Sequence, residues 1–192
     1  MTSKTNKVSQ SRPFTLSDEK RNRILTTALN LFDQYGFQHI SISRIIAEAK
    51  VARISFYNAF PFKDSLIFEC IDFEISRLKQ SLMNLLEQNK KNDHINILKA
   101  VYLWHVDLTQ RDGFNGTLLT KAVTEYWNLP DIKIKVEDFN KWKYEIIAEY
   151  LAEEINNARL RIIVSAINGI LLPASTYLPT WEDLESLYGE QF

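Results

Sequence analysis

The chain has 192 residues, enough for one large domain or for a small domain joined to a larger one. It is 45% hydrophobic and 24% charged, and its five glycines and five prolines favour long helices over a turn-rich β fold. A single cysteine excludes a disulfide framework within one chain, and we find no signal peptide or run long enough to cross a bilayer, so we expect a cytoplasmic protein.

Charge is distributed unevenly along the chain. Residues 1–63 carry ten lysines and arginines against four acidic residues, a net charge of +6, whereas the remainder carries −7. A basic head on an acidic body favours a polyanionic partner for the head. A solvated basic tail would account for the same charges, because Lys4, Lys7 and Arg12 fall in a polar stretch. Charge alone leaves both interpretations open.

The first elements are a flexible arm over residues 1–16 and a helix that starts at Ser17. Ile24, Ala28 and Leu31 recur at helical spacing and predict a buried face. Gly36 is typical of the residue that follows the end of a helix. The boundaries that we predict are an arm at 1–16, a head at 17–62 and a helical body at 63–192.

Residues 41–63 predict two short helices joined by a tight turn. Ser41 is a suitable N-cap for the first, and the turn falls near Lys50. The second helix runs from about Ala52 to Asn58, and Pro61 cannot continue it. Its inner face is apolar and its outer face carries Arg, Ser, Tyr and Asn. Such a unit has the chemistry of a DNA-reading helix-turn-helix.

The body is predicted to be entirely helical, with helices near 63–89, 95–110, 118–128, 130–155, 158–177 and 181–188. The helix 158–177 is apolar on nearly all sides and needs burial on most of them, and Pro173 should kink it or cut it short. Burial within one chain would satisfy it. We favour a homodimer through residues 158–188, because helix-turn-helix heads commonly read paired half-sites.

Signals for an enzyme are missing from the sequence. His39, His94 and His105 are scattered, without metal-ligand spacing, and we find no phosphate-binding glycine loop, nucleophile elbow or redox cysteine pair. Cys70 is better explained as a small core residue than as a redox sensor. We therefore expect no catalytic residue, no metal and no cofactor.

The body is rich in aromatic residues, which either fill its core or line a pocket for a small molecule. In the pocket interpretation, Trp N–H, Tyr O–H and imidazole groups would orient the ligand. The candidate lining residues are Tyr102, Trp104, His105, Phe114, Tyr126, Trp127, Phe139 and Trp142.

The head resembles the DNA-binding domain of TetR-family transcriptional regulators over roughly residues 20–68. The resemblance is carried by Ile24-Leu25, Ala28, Leu31-Phe32, Gly36-Phe37, Ser41, Ile45, Val51, Phe56-Tyr57, Phe60, Lys63 and Leu66. It implies an all-α fold with an N-terminal three-helix helix-turn-helix domain and a larger helical domain for ligand binding and dimerisation. A weaker resemblance to one common type of TetR C-terminal domain runs from Gly113 through Glu125 to Trp142.

The resemblance also implies the roles of the head residues. Ser41, Arg44, Tyr57 and Lys63 would contact phosphates, and Arg53, Ser55 and Asn58 would face base edges, in a DNA site that also includes Ala52. For Arg53 a phosphate contact is an equal alternative. The chain departs from the family pattern at Ile46, Lys50, Ala52 and Ile54, so the operator sequence is not transferred.

The sequence thus predicts a homodimeric DNA-binding regulator, most simply a repressor that a small, largely apolar or aromatic effector releases from its operator. Two alternatives remain open at this stage. The same head could answer to a protein partner or to no ligand at all. The chain could also be a helical small-molecule-binding protein without a DNA function.

Overall fold

The computed structural model describes residues 16–110, 112–151, 157–173 and 178–189, and this part of the chain is built from helices without a strand. The expected arm therefore lies almost entirely outside the described residues. The helices are α1 Leu16–Tyr35, α2 Ile42–Ala49, α3 Arg53–Ala59, α4 Lys63–Asn89, α5 His94–Asp107, α6 Leu118–Glu125, α7 Pro130–Leu151, α8 Asn157–Gly169 and α9 Trp181–Gly189.

The first three helices enclose an aromatic core. Phe32, Phe37, Phe56 and Phe60 are all buried. The ring centroids of the first pair lie 4.8 Å apart and those of the second pair 6.2 Å apart. Gly36 has a φ of +79°, which is the left-handed conformation predicted for the residue after a helix end. The core fixes α3 against α1 and thereby decides which side of α3 faces outward.

Helix α4 joins the head to the body. Its 27 residues extend over about 40 Å at the helical rise of roughly 1.5 Å per residue. Leu66 and Ile67 are buried near the head, and Leu82 and Leu86 are buried further along, against the body helices. Cys70 lies in the same buried stripe, where burial raises the pKa of its thiol. The thiol therefore stays protonated, which agrees with a role as a small core residue.

The body packs α7 against α4, α5, α6 and α8, and α9 against α5 and α8. Helix α6 is shorter than expected and ends at Glu125 rather than near residue 128. The predicted end of α7 near residue 155 falls outside the described residues. The start of α9 has a reciprocal cap, because Asp183 Oδ2 accepts from the Thr180 N–H at 2.8 Å and Thr180 Oγ1 accepts from the Asp183 N–H at 3.2 Å.

The predicted helix 158–177 is much shorter in the structure, which corrects the sequence analysis. Helix α8 ends at Gly169, and the next three residues, 170–172, form turns closed by hydrogen bonds three residues back. Pro173 has no N–H and disfavours the helical conformation of the residue before it, so the helix is cut short rather than kinked. Residues 174–177 lie outside the described part of the chain.

Within one chain, helix α8 is buried on one face only. Leu160, Ile163 and Ile167 face the core of the same chain, whereas Arg161 and Ile162 are exposed. Within the described residues, no helix is both long enough and apolar enough to cross a membrane.

Candidate functional site

Both ends of the helix-turn-helix are set by local hydrogen bonds. At its start, Ser41 Oγ accepts from the Arg44 N–H at 3.2 Å, which is the N-cap predicted from the sequence. At its end, the Phe60 N–H donates to the Phe56 carbonyl at 2.8 Å, and Pro61 follows at once. Helix α3, Arg53–Ala59, therefore has about two turns.

The outer face of α3 carries side chains of several different chemistries. Arg53, Tyr57 and Asn58 are exposed, and Ser55 is half-buried. The guanidinium of Arg53 lies 5.8 Å from the centroid of the Tyr57 ring, within the range of a cation–π contact. The structure therefore brings together on one helix a guanidinium, a phenol and an amide.

Ile54 belongs to the same surface and was not among the predicted site residues. It is 68% exposed, an unusual position for a large aliphatic side chain in a short helix. Its helical spacing to Tyr57 and Asn58, three and four residues on, was a usable signal, because such residues share a face. An isoleucine here can pack against the methyl group of a thymine.

Arg44 lies one helix away and is already engaged. Its Nε donates to Glu48 Oε1 at 2.8 Å, and its guanidinium lies 4.4 Å from the centroid of the Tyr35 ring. The ion pair is exposed on both sides, so it contributes little to stability and can yield to another anion.

Lys63, for which the resemblance implies a phosphate contact, also makes a hydrogen bond within the protein. Its Nζ donates to the Phe37 carbonyl at 2.6 Å, and the side chain is half-buried. Burial lowers the pKa of its ammonium. In this structure Lys63 ties the start of α4 to the loop that follows α1.

Two residues of α6 hold the head. The Glu125 carboxylate accepts from the backbone N–H groups of Phe37 and Gln38 at 3.1 and 2.7 Å. Gly36 allows this approach, because a Cβ at that position would lie 2.5 Å from Glu125 Oε1. The loop between α1 and α2 is therefore fastened to the C-terminal end of α6.

Lys121 makes the second link from α6 to the head. It is only 8% exposed, and its Nζ donates to the Asp33 carbonyl in the last turn of α1 and to the Gly116 carbonyl at 3.1 Å. A cation is favourable at this end of a helix, where carbonyl groups lack intrahelical partners. Neither residue of this clamp was predicted, because their partners lie almost ninety residues away.

A cavity of about 360 Å³ lies in the body between α4, α5, α6, α7 and α8. Two of the eight predicted pocket residues, Trp104 and Phe139, line it. Most of the other lining is aliphatic, with a few neutral polar groups. The lining residues are Leu78, Trp104, Leu108, Thr117, Leu119, Thr120, Val123, Thr124, Val136, Phe139, Asn140, Lys143, Asn168, Leu171 and Leu172.

The remaining six predicted pocket residues are outside this lining. Trp127 is 77% exposed, and Tyr126 packs edge-on against Phe37 of the head at 5.8 Å. Tyr102 lies 6.0 Å from the Trp181 ring and donates to the Pro179 carbonyl at 3.3 Å. Trp127 therefore lies on the surface, and Tyr126 and Tyr102 pack against other parts of the chain. Helical spacing alone does not show which neighbour a side chain contacts.

His105, Phe114 and Trp142 are the other three predicted residues outside this lining. Trp142 stacks on Phe139 with centroids 6.0 Å apart and is contacted on its ring by Lys79. Phe114 is half-buried in the segment before α6. His105 is fully buried, and its Nδ1 lies 2.8 Å from the Val101 carbonyl. Trp142 therefore supports Phe139 in the cavity wall.

Lys143 is the charged group of the cavity, and sequence analysis missed it. It is 2% exposed, and its Nζ donates to Asn168 Oδ1 at 2.6 Å and lies 3.5 Å from His105 Nε2. Burial lowers the pKa of Lys143 to about 8, and burial together with the neighbouring ammonium lowers the pKa of His105 to about 3. At neutral pH the pair is therefore an ammonium beside a neutral imidazole.

A second cavity of about 310 Å³ lies at the joint between head and body. It is lined by α1 and α4, and it shares Leu78, Leu108 and Thr117 with the first cavity. The body cavity therefore adjoins the surface on which the head rests.

Comparison with known proteins agrees with this architecture. Residues 24–70 match the family model described as bacterial regulatory proteins, tetR family. The solved structure of SCO4454, a TetR-family transcriptional regulator from Streptomyces coelicolor, is similar at 27% identity with a TM-score of 0.69, covering 88% of this chain and 90% of that one. The chain belongs to the TetR family of transcriptional regulators.

Two further similarities concern other members. The chain is 31% identical over 67 residues to YuxN of Bacillus subtilis, an HTH-type transcriptional regulator, across 35% of this chain and 23% of that protein. It spans between 23 and 54% of the length of the first curated relatives that it matches. The multidrug binding protein EbrR, solved with malachite green, shares the fold at 17% identity and a TM-score of 0.63, covering 88% of this chain and 98% of EbrR.

Two departures of this TetR-family head from the usual pattern have structural consequences. Lys50, where the family usually has glycine, adopts a left-handed conformation with φ 51° and ψ 47°. Ala52, where a serine cap is usual, has extended backbone and makes no side-chain cap. Each costs on the order of 1 kcal/mol, so this head keeps the family geometry with a somewhat weaker turn.

Proposed function

We propose that the protein is a DNA-binding transcriptional regulator that reads its operator with α3. The observation that carries this proposal is the exposed set Arg53, Tyr57 and Asn58 on a helix whose other face is fixed by Phe56 and Phe60. Arginine can pair bidentately with guanine and asparagine with adenine, and a phenol can bind phosphate. In this division, residues 17–62 bind DNA and residues 63–192 regulate.

The N-terminal end of α2 supplies contacts to the DNA phosphates. Ser41, Arg44 and the N-cap Ala52 of α3 are exposed, and Ser55 is half-buried. Arg44 exchanges its exposed bond to Glu48 for a phosphate. Lys63, held by the Phe37 carbonyl, contributes by fixing the head rather than by reaching DNA with a free ammonium.

The regulator acts as a homodimer through residues 158–188. This is supported by exposed aliphatic side chains on and after α8, namely Ile162, Leu172, Leu178 and Leu187. A four-helix arrangement of α8 and α9 with their counterparts would cover these side chains. Paired heads would then reach half-sites about 34 Å apart on one side of the duplex.

An effector in the body cavity controls the head through α6. Thr120 and Val123 of α6 line the cavity, whereas Lys121 and Glu125 of the same helix hold the head. EbrR, which has the same fold, binds malachite green. A ligand that favours another position of α6 shifts the population toward a head geometry that no longer fits the operator, so the simplest role is that of a cytoplasmic repressor.

The test of DNA binding uses a duplex that the protein selects from a random library. Fluorescence anisotropy is measured at several salt concentrations for the wild type and for Arg53→Ala with Tyr57→Phe. We expect a steep loss of affinity with salt and a loss of about 30- to 100-fold in the double variant. Lys133→Ala with Tyr144→Phe, both on α7, is the matched control and should bind as the wild type does. Failure to select any duplex, or equal affinity of both double variants, would contradict the proposal.

A further inference from the structure

We propose that the body cavity binds a mostly apolar organic anion whose carboxylate pairs with Lys143. The proposal rests on the proposed function, because it gives the chemical class of the effector. The cavity contains one positive charge and no negative charge among its lining residues. A lysine with 2% of its surface exposed lines a space whose other walls are neutral. Burying an ammonium among neutral groups is costly, so the free protein stores a preference for an anion.

The elements packed around Lys143 supply no balancing carboxylate among the described residues. The contacts of its ammonium are Asn168 Oδ1 on α8, His105 Nε2 on α5 and, at 5.5 Å, the ring of Phe139 on α7. Leu78 of α4 and Thr120 of α6 line the same cavity and carry no charge. His105 is thus the one titratable side chain that faces the ammonium from the described elements.

One N–H group of the Lys143 ammonium is available to a ligand. The Nδ1 of His105 donates to the Val101 carbonyl at 2.8 Å, which makes its Nε2 an acceptor. Nε2 and Asn168 Oδ1 therefore accept two of the three N–H groups of the ammonium. The third is available to a carboxylate oxygen, and a charge-assisted bond of this kind is stronger than a neutral one.

The size and walls of the cavity define the rest of the ligand. Its volume of about 360 Å³ is near the lower end of the range for small-molecule sites. Trp104, Leu119, Val136 and Phe139 offer aromatic and aliphatic surface, and Thr117 and Asn140 offer neutral hydrogen bonds. A bicyclic aromatic or medium-chain aliphatic carboxylate satisfies this combination, whereas a neutral molecule leaves the ammonium uncompensated.

The experiment compares three carboxylates with their neutral amides. Calorimetric titrations use benzoate and benzamide, 1-naphthoate and 1-naphthamide, and decanoate and decanamide. For the wild type we expect at least one carboxylate to bind about 10- to 100-fold more tightly than its amide, the ratio for a charge-assisted bond. Lys143→Met should abolish the preference, while the exposed neighbour Lys141→Met should retain it.

A second measurement does not depend on a variant. Carboxylate binding favours the protonated amine, so at pH 8.5 the wild type should take up protons, seen as a dependence of the binding enthalpy on the buffer. The matching amide should cause no uptake. Equal affinity for carboxylates and amides, a preference that survives Lys143→Met, or no binding of any of the six compounds would overturn the proposal.

DNA binding separates this proposal from the one on which it rests. If the selected duplex binds and no carboxylate is preferred, the anion site fails and the regulator stands. If a carboxylate binds through Lys143 but no duplex is selected, the anion site stands and the DNA function fails.

Discussion

Lys121 and Lys143 are both buried lysines of the body, yet their surroundings differ in kind. Lys121 is 8% exposed and donates to two backbone carbonyls, one of them in the last turn of α1. Lys143 is 2% exposed and has an amide oxygen, an imidazole and a cavity around it. The first lysine joins two parts of the fold, and the second lies in the wall of a cavity.

The two buried lysines differ in how their charge is compensated. The last carbonyl groups of a helix lose their water partners when they are buried and have no N–H partner within the helix. A cation at that position supplies the missing hydrogen bonds. A lysine beside a cavity lacks that compensation, and burial lowers the pKa of Lys143 to about 8. The partner atoms, rather than the exposed fraction, therefore distinguish the two lysines.

The largest effect is expected for Lys121→Met. The substitution leaves the Asp33 and Gly116 carbonyls without this donor in a buried position, so we expect a loss of about 3 kcal/mol in the free energy of unfolding. Urea denaturation measures it, with the exposed Lys133→Met as the matched control. A change within about 0.5 kcal/mol, the range of ordinary surface substitutions, would show that Lys121 is not structural.

Lys143→Met should change stability in the opposite direction. Removing an uncompensated buried charge should stabilise the protein by about 2 kcal/mol at pH 7, with Lys141→Met close to wild type. Between the folded pKa of about 8 and the ordinary value of 10.5, the unfolded chain binds more protons, so wild-type stability rises with pH in that window. The advantage of the variant should therefore shrink between pH 8 and pH 10.5 in urea denaturation series. A destabilised variant at pH 7 would mean that the charge is compensated after all.

Glu125→Gln tests the other half of the clamp that Lys121 makes. The amide keeps one acceptor for the N–H groups of Phe37 and Gln38 but loses the charge and the second acceptor. We expect a loss of about 1 kcal/mol, seen as faster hydrogen exchange at these two amides. Exchange in α7 should be unchanged. If the two amides exchange as in the wild type, α6 does not hold the head in the way described.

Ala52→Ser should give the smallest effect and involves neither lysine. Ala52 already has the backbone of an N-cap, with φ −70° and ψ 147°, so a serine hydroxyl there can accept from the first turn of α3. We expect about 0.5 to 1 kcal/mol of added stability by thermal unfolding. Ala52→Val, without an acceptor, is the control and should not stabilise. Equal effects of the two variants would exclude capping as the cause.

The head was largely predictable because its signals are local. Ser41 caps α2 through a residue three positions on, and Pro61 follows Phe60, the C-cap of α3. Phe56 and Phe60 recur at helical spacing and are buried as that spacing indicates. The exposed set on α3 follows from the same periodicity, which also places Ile54 on this face.

The cavity, the clamp and the position of Lys63 were decided by tertiary structure. From the sequence alone, Lys143 and Lys121 look like ordinary surface lysines of amphipathic helices. Their burial depends on α5, α6 and α8 meeting α7, and on α6 meeting α1, between residues that are 25 to 88 positions apart. Capping, periodicity and proline effects act within a few residues, so the sequence by itself determined where the helices of the head lie and which face of α3 is exposed. Which charges end up without water is determined only when distant helices pack, because desolvation depends on every neighbour in space.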